Sequence, residues 1–194
     1  MLRPAKSSFC NLIHTGPARP LVRLLPYLLA LGVLSLSLPG VFAQSPPAAP
    51  IAEGKAHIVD GDTLEIGTRR VHLYGVDAPE PDQTCERGGR RWRCGMEATY
   101  AMAALLEFHW LICRQREIDP AGDMIGVCRI GGPKGFSVNR EIVRRGWALA
   151  LRPSGDDYAA AEQEAKAAKM GLWSGSFVSP WEWRRLHETG RTAN

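Results

Sequence analysis

Apolar residues from Lys55 to Val76 fall in short runs broken by turn formers, which is the pattern of strands and not of a helical stripe. Lys55–Val59 leads into an Asp60–Asp62 turn, Thr63–Ile66 follows, and Gly67-Thr68 turns the chain into Arg69–Val76, with Val71 and Leu73 on one face. After Pro79 a polar loop runs to Gly95. Then the period changes: Ala98, Ala101, Met102, Leu105 and Leu106 recur at helical spacing and predict an amphipathic helix. Trp110–Glu117 and Met124–Ile130 read as a hairpin, and Val138–Arg145 as a short helix stopped by Gly146. Trp147–Leu151 is a short apolar strand, and a further helix begins at Asp156-Asp157 and ends at Gly171. Five or so short strands with helices between them predict a small Greek-key barrel with attached helices. Trp173, Trp181 and Trp183 in the C-terminal stretch are expected as packing anchors.

The N-terminal stretch does not follow these patterns. Its basic residues end at Arg23, Leu24–Leu38 is almost wholly apolar, Pro39-Gly40 breaks the run, and Val41-Phe42-Ala43 precedes Gln44. This is the layout of a secretory signal, and the apolar run is short against the ~20 residues of a membrane span. Cleavage after residue 43 is the expectation, with an uncleaved membrane anchor as the alternative. The divisions expected are a signal peptide at 1–43, a Pro/Ala-rich linker at 44–54, one folded domain at 55–184 and a tail at 185–194. An exported, periplasmic or extracellular, location follows.

Charge then changes the picture by its placement. The chain has a formal net charge of +4, but residues 1–43 hold four of the 24 Lys and Arg and none of the 20 Asp and Glu. The rest is balanced, so attraction to nucleic acid has to come from a local patch.

Four cysteines remain outside the signal, an even number in an exported chain, where disulfides are the default. Asp119-Pro120-Ala121-Gly122 has the residues of a type I turn. Pairing Asp119 with Gly122 sets a hairpin register that puts Cys113 opposite Cys128. Cys85–Cys94 is then left, closing a short polar loop.

The sharpest chemistry lies in Asp60, Asp62, Asp77 and Glu80. Asp60 and Asp62 are two apart, a second strand ends at Asp77, and Pro79 stiffens the turn that presents Glu80. Carboxylates at two strand ends suit a hard cation with oxygen ligands. Each motif alone is an ordinary turn former; the two together are far more specific.

Asp60-Gly61-Asp62-Thr63, Leu73-Tyr74-Gly75-Val76-Asp77-Ala78-Pro79-Glu80, the stretch Val138–Ala148, the pair Ala161-Glu162 and Gly171-Leu172-Trp173 together resemble the staphylococcal-nuclease (thermonuclease) family, from about Ala56 to Arg184. The resemblance implies an α+β, mainly β, fold: a five-stranded OB-fold barrel with about three attached helices. It implies a monomeric, calcium-dependent nuclease, a hydrolase and endonuclease acting on DNA or RNA without a small-molecule cofactor. Asp62 and Asp77 would ligate one divalent cation with the backbone carbonyl of Ala78, Asp60 would lie just outside that set, and Glu80 would be the general base. The family also uses two arginines. One lies five residues ahead of the second motif's Asp, which here is His72. The other closes an Asp-x-x-Gly-Arg segment, which here ends in Asp123. Phosphoryl transfer leans on such cations, and losing one costs on the order of 10²–10³ in rate. Arg70, two residues before His72 on the same strand face, and Arg116 and Arg129, which flank the hairpin, are candidate partial replacements; the expectation for any one of the three is a solvated surface charge.

Two functions therefore compete. One is an exported nuclease, slowed or rewired. The alternative is a catalytically silent nuclease fold that binds nucleic acid or a protein partner. A guanidinium beside Asp62, Asp77 and Glu80 favours the first; a site empty of one, or Asp123 pointing into it, favours the second.

Overall fold

The computed structural model describes residues 51–151 and 158–191. The expected signal, most of the expected linker and the Asp156-Asp157 helix start lie outside the described residues. The first strand, β1 (Ile51–Gly54), begins inside the stretch expected as linker. β2 (Ala56–Ile58), β3 (Thr63–Ile66), β4 (Arg69–Leu73) and the short β5 (Val76–Asp77) follow. The loop after Pro79 carries a small hairpin of β6 (Cys85–Arg87) and β7 (Arg90–Trp92). Helix α1 (Cys94–Leu106) precedes β8 (Leu111–Ile118) and β9 (Met124–Ile130). Then come β10 (Phe136–Ser137), α2 (Val138–Arg144), β11 (Leu149–Ala150), α3 (Ala159–Ala167), a single 3₁₀ turn at Gly171–Ser174 and α4 (Pro180–Arg191). The helices number four among the described residues, where about three were expected.

The main sheet runs β1-β8-β9-β4-β3-β2, with β10 added beside β9. Its two ends are one stretch of chain, since β1 and β2 are separated only by Lys55. That stretch bends, pairs with β8 on one side and β3 on the other, and curls the sheet into the five-stranded barrel expected. β4 and β9 pair in parallel, while the other barrel pairings are antiparallel. Leu64, Val71, Leu111 and Cys128 fill the interior, and Met102 and Leu106 of α1 with Val138 and Ile142 of α2 pack onto the same core. The seven of these that are Leu, Val, Ile or Met, all buried, stabilise by ~1.5–3 kcal/mol apiece relative to exposure.

The hairpin shows how a register reading can be right for an incomplete reason. Cys113 does face Cys128, and the two are disulfide-bonded. The turn, however, is one residue longer than expected, with the Asp119 N–H bonded to the Asp123 carbonyl at 3.0 Å. A bulge between Gln115 and Glu117 absorbs the extra residue before the cysteines are reached.

Two buried amides fasten the parts that carry the site. Asn139, at the start of α2, accepts from the Cys128 N–H and donates to the carbonyls of Tyr74 and Gly126, so α2, β9 and the turn after β4 are tied at one point. Gln83, fully buried, accepts from the Glu80 N–H at 3.3 Å and donates to the Val178 carbonyl at 2.8 Å. It joins the Glu80 turn to the segment that starts α4. The second disulfide, Cys85–Cys94, sits in a small cluster with Leu149 and Leu172, packed by Trp92, Trp173 and Phe177. Trp173 is thus a packing anchor as expected. Trp181 is not: it lies on the outer face of α4 at 47% exposure. Trp183 is half-buried and stacks on His187 at 3.7 Å, within its own helix.

Candidate active site

The Asp60–Thr63 turn is built around one carboxylate. Asp60 Oδ1 accepts from the N–H groups of Asp62 and Thr63 at 3.0 and 2.7 Å, the side chain closing the turn in place of a backbone carbonyl. Gly61 is needed by contact: a Cβ there would lie 2.6 Å from that of Ala78. The turn can therefore press against the Asp77-Ala78-Pro79 segment, and Asp62 Oδ2 accepts from the Ala78 N–H at 2.6 Å. The two motifs, sixteen residues apart, are joined through this bond. Gly95 at the start of α1 gives the same clearance to Glu80, whose carbonyl oxygen would lie 1.7 Å from a Cβ.

Asp60, Asp62, Asp77 and Glu80 line one cleft of about 420 Å³. Burial, and then the Asp60 and Asp77 carboxylates, push the Asp62 carboxyl well above the usual carboxylate range, against the opposing pull of the Ala78 N–H. None of the ion pairs among the described residues reaches Asp60 or Asp62.

Asp77 and Glu80 are met by a cation that the sequence reading missed. Arg184, on α4, donates from Nη1 and Nη2 to the two carboxylate oxygens of Asp77 at 2.8 and 3.0 Å, and from Nη1 to Glu80 Oε1 at 2.7 Å. These bonds hold the guanidinium even more firmly protonated than an ordinary arginine. One signal for its helix was present: Ser179-Pro180 followed by Glu182 is a helix start, and α4 runs past residue 184 into the stretch expected as a tail. Which way Arg184 faces was not legible.

The two positions that depart from the arginine pattern lie together on the rim. His72 and Arg70 line the cleft, as strand alternation required. His72 Nε2 is 3.5 Å from Asp119 Oδ2 and 3.8 Å from Asp123 Oδ2. Arg70 reaches Glu65 at 3.4 Å and Asp123 at 3.9 Å, so it leans on neighbouring acids and not on Asp77 or Glu80. Asp123 faces His72 and Arg70. Arg116 lies over the Tyr74 ring, and Arg129 donates to the Gly135 carbonyl, both away from the carboxylates.

A family model described as staphylococcal nuclease homologue matches residues 70–175. The chain belongs to the staphylococcal-nuclease family. The match takes in Asp77, Glu80 and the two altered positions; Asp60, Asp62 and Arg184 lie just outside it. Among relatives, the succinoglycan biosynthesis protein ExoI of Rhizobium meliloti (strain 1021) is 37% identical over 129 residues, 65% of this chain and 66% of that protein. Protein ParB of Escherichia coli is 30% identical over 156 residues, 73% of this chain and 83% of that one. A probable staphylococcal-like nuclease, CAN3, of Oryza sativa subsp. japonica is 26% identical over 125 residues. The chain spans about two thirds of the ExoI length and 30% of the rice protein's. The two disulfides fit an oxidising compartment. Among the described residues no helix is long and apolar enough to cross a membrane.

Proposed function

We propose that the chain hydrolyses phosphodiester bonds of DNA or RNA with the help of one divalent cation of the calcium type. The observation that carries this is the crowding of Asp60, Asp62 and Asp77 in one cleft, with Asp62 pushed up by burial and two like charges. Stability does not call for such a group; a cation relieves it. The donors are all oxygen, which fits a hard ion. Asp62, Asp77 and the Ala78 carbonyl would hold it, with Asp60 outside them. When bound, it would neutralise charge on a phosphate oxygen.

The chain's own residues supply the rest. Glu80 has Oε1 on Arg184, which leaves Oε2 to take a proton from water. The water oxygen bonds to phosphorus as the bond from phosphorus to the leaving ribose oxygen breaks, and that oxygen takes a proton from solvent. With a cation held by Asp62 and Asp77, Arg184 would keep Glu80 oriented and offer its remaining N–H groups to the phosphate. It stands in for the arginines replaced by His72 and Asp123.

The silent-fold reading has one observation in its favour: the Arg184 fork occupies both oxygens of Asp77. Purified protein with calcium and single-stranded DNA or RNA decides between them. Turnover abolished by Asp62→Ala and by Glu80→Gln supports the enzyme. No turnover over a wide metal and pH range, or turnover that survives both changes, removes it.

A further inference from the structure

The rim of the cleft carries a second set of converging ligands. His72 comes from β4, and Asp119 and Asp123 from the two ends of the β8–β9 turn. One atom from each lies within 4.8 Å of the other two. The separations of His72 Nε2 from the carboxylate oxygens, 3.5 and 3.8 Å, are too long for hydrogen bonds. They are close to the edge of a tetrahedron of nitrogen and oxygen ligands about 2.1 Å from a zinc-sized ion, roughly 3.4 Å.

Each ligand is aimed by a contact behind it. Asp119 Oδ1 accepts from the Ala121 and Asp123 N–H groups at 2.9 and 2.8 Å, which turns Oδ2 toward His72. Thr63 faces His72 across β3 and β4, and its Oγ1 lies 3.1 Å from His72 Nδ1 and 3.2 Å from Asp62 Oδ1. A threonine hydroxyl has one proton to give. Donated to the Asp62 carboxylate, it leaves Oγ1 to accept from Nδ1–H, and His72 Nε2 is then the bare lone pair. This is the support that metal-bound histidines have behind them. Arg70 Nε lies 3.9 Å from the same Asp123 Oδ2, a long ion pair that a metal ion on that oxygen would have to displace.

We propose that His72, Asp119 and Asp123 bind a second divalent cation, of the zinc or manganese class, on the rim of the nuclease cleft. One imidazole with two carboxylates suits that class and disfavours calcium. The three ligands leave a fourth position open. The positions that gave up arginine thus regain positive charge as an ion, placed where it can grip the substrate's phosphate. The role of the ion rests on the nuclease reading; its binding does not.

The test is equilibrium dialysis and calorimetry of the full chain with Zn²⁺, and visible absorption with Co²⁺. An Asp62→Asn, Asp77→Asn background silences the cleft carboxylates. This background should still bind one Zn²⁺, in competition with Co²⁺ and not with Ca²⁺, and Zn²⁺ should shift the His72 ring resonances. Adding His72→Gln or Asp123→Asn should weaken binding at least tenfold, and adding Thr63→Val by about 10–100-fold, with thermal unfolding showing each variant folded. Zinc affinity unchanged by all three changes, or absent from the background protein, overturns the site and marks the trio as an ion-pair network. Zinc bound here in a protein without nuclease activity keeps the site and removes the nuclease reading. Nuclease activity without a second ion does the reverse.

Discussion

Arginines meet carboxylates in two regions of this molecule, on opposite terms. On α2, Glu141 accepts from Arg144 and Arg145, three and four residues along the same helix turn. In the cleft, Asp77 and Glu80 are met by Arg184, 107 and 104 residues away. Glu141 is pulled down, first by the Arg144 hydrogen bonds, and its charge is balanced by its own helix. Asp62, beside the Arg184 cluster, is pushed up and has no arginine. A carboxylate satisfied within its own turn belongs to the structure. One held by a guanidinium that arrives from another element, among acids left unbalanced, is what the proposed cation site needs: a partner that could be exchanged.

The largest effect expected from this difference is at Glu80. Glu80→Gln keeps the shape and a hydrogen bond to Arg184 but removes the proposed base. Turnover should fall by about 10³–10⁴, some 4–5.5 kcal/mol in barrier, with calcium affinity little changed. Initial rates and calcium titration on the same preparation check both.

Arg184→Ala comes next. If the arginine grips phosphate, the rate falls by about 10²–10³. The comparison breaks if activity and calcium affinity rise, because Arg184 is then a plug over Asp77.

The cleft pair also depends on a distant platform, which the helix pair does not. Gln83 joins the Glu80 turn to the start of α4, Glu86 bridges to Ser176, and Cys85–Cys94 closes the loop between them. Cys85→Ser with Cys94→Ser should cost about 2–3 kcal/mol, as loop closure over nine residues implies. Urea denaturation measures it. Turnover should fall along with stability, through Arg184, whereas Glu141→Gln should leave turnover near normal.

This contrast also separates what was legible in the sequence from what was not. Local relations were legible. Strand alternation placed Arg70 with His72, the Asp-Gly-Asp and Asp-Ala-Pro-Glu turns marked the cleft, and turn chemistry set Cys113 against Cys128 despite the bulge at Gln115. Each rests on spacing of a few residues within one or two elements. Arg184 rests on how a C-terminal helix packs after the whole barrel has formed, and no period in Trp181–Arg185 encodes that. Gln83 and Asn139 were hidden for a related reason. A buried amide earns its place through backbone groups far along the chain, and its own neighbours in sequence say nothing about them.

The smallest effect lies on the helix side, where pH separates the two regions. Glu141 is 6% exposed, but its partners Arg144 and Arg145 are 43% and 39% exposed, so solvent screens much of the attraction. Glu141→Gln should therefore cost only about 1–2 kcal/mol at neutral pH. The sign with pH follows from the lowered pKa. The unfolded chain takes up a proton near pH 4.3, and the folded chain does so only at lower pH. The ion pair's contribution is full above that unfolded value and is lost as pH falls through the folded one. Wild type and Glu141→Gln should thus differ in denaturation midpoint at pH 7 and converge in stronger acid. A constant difference down to acid pH would mean that Glu141 acts by packing and not by charge, and the contrast with the exchangeable pair at Asp77 would lose its helix half.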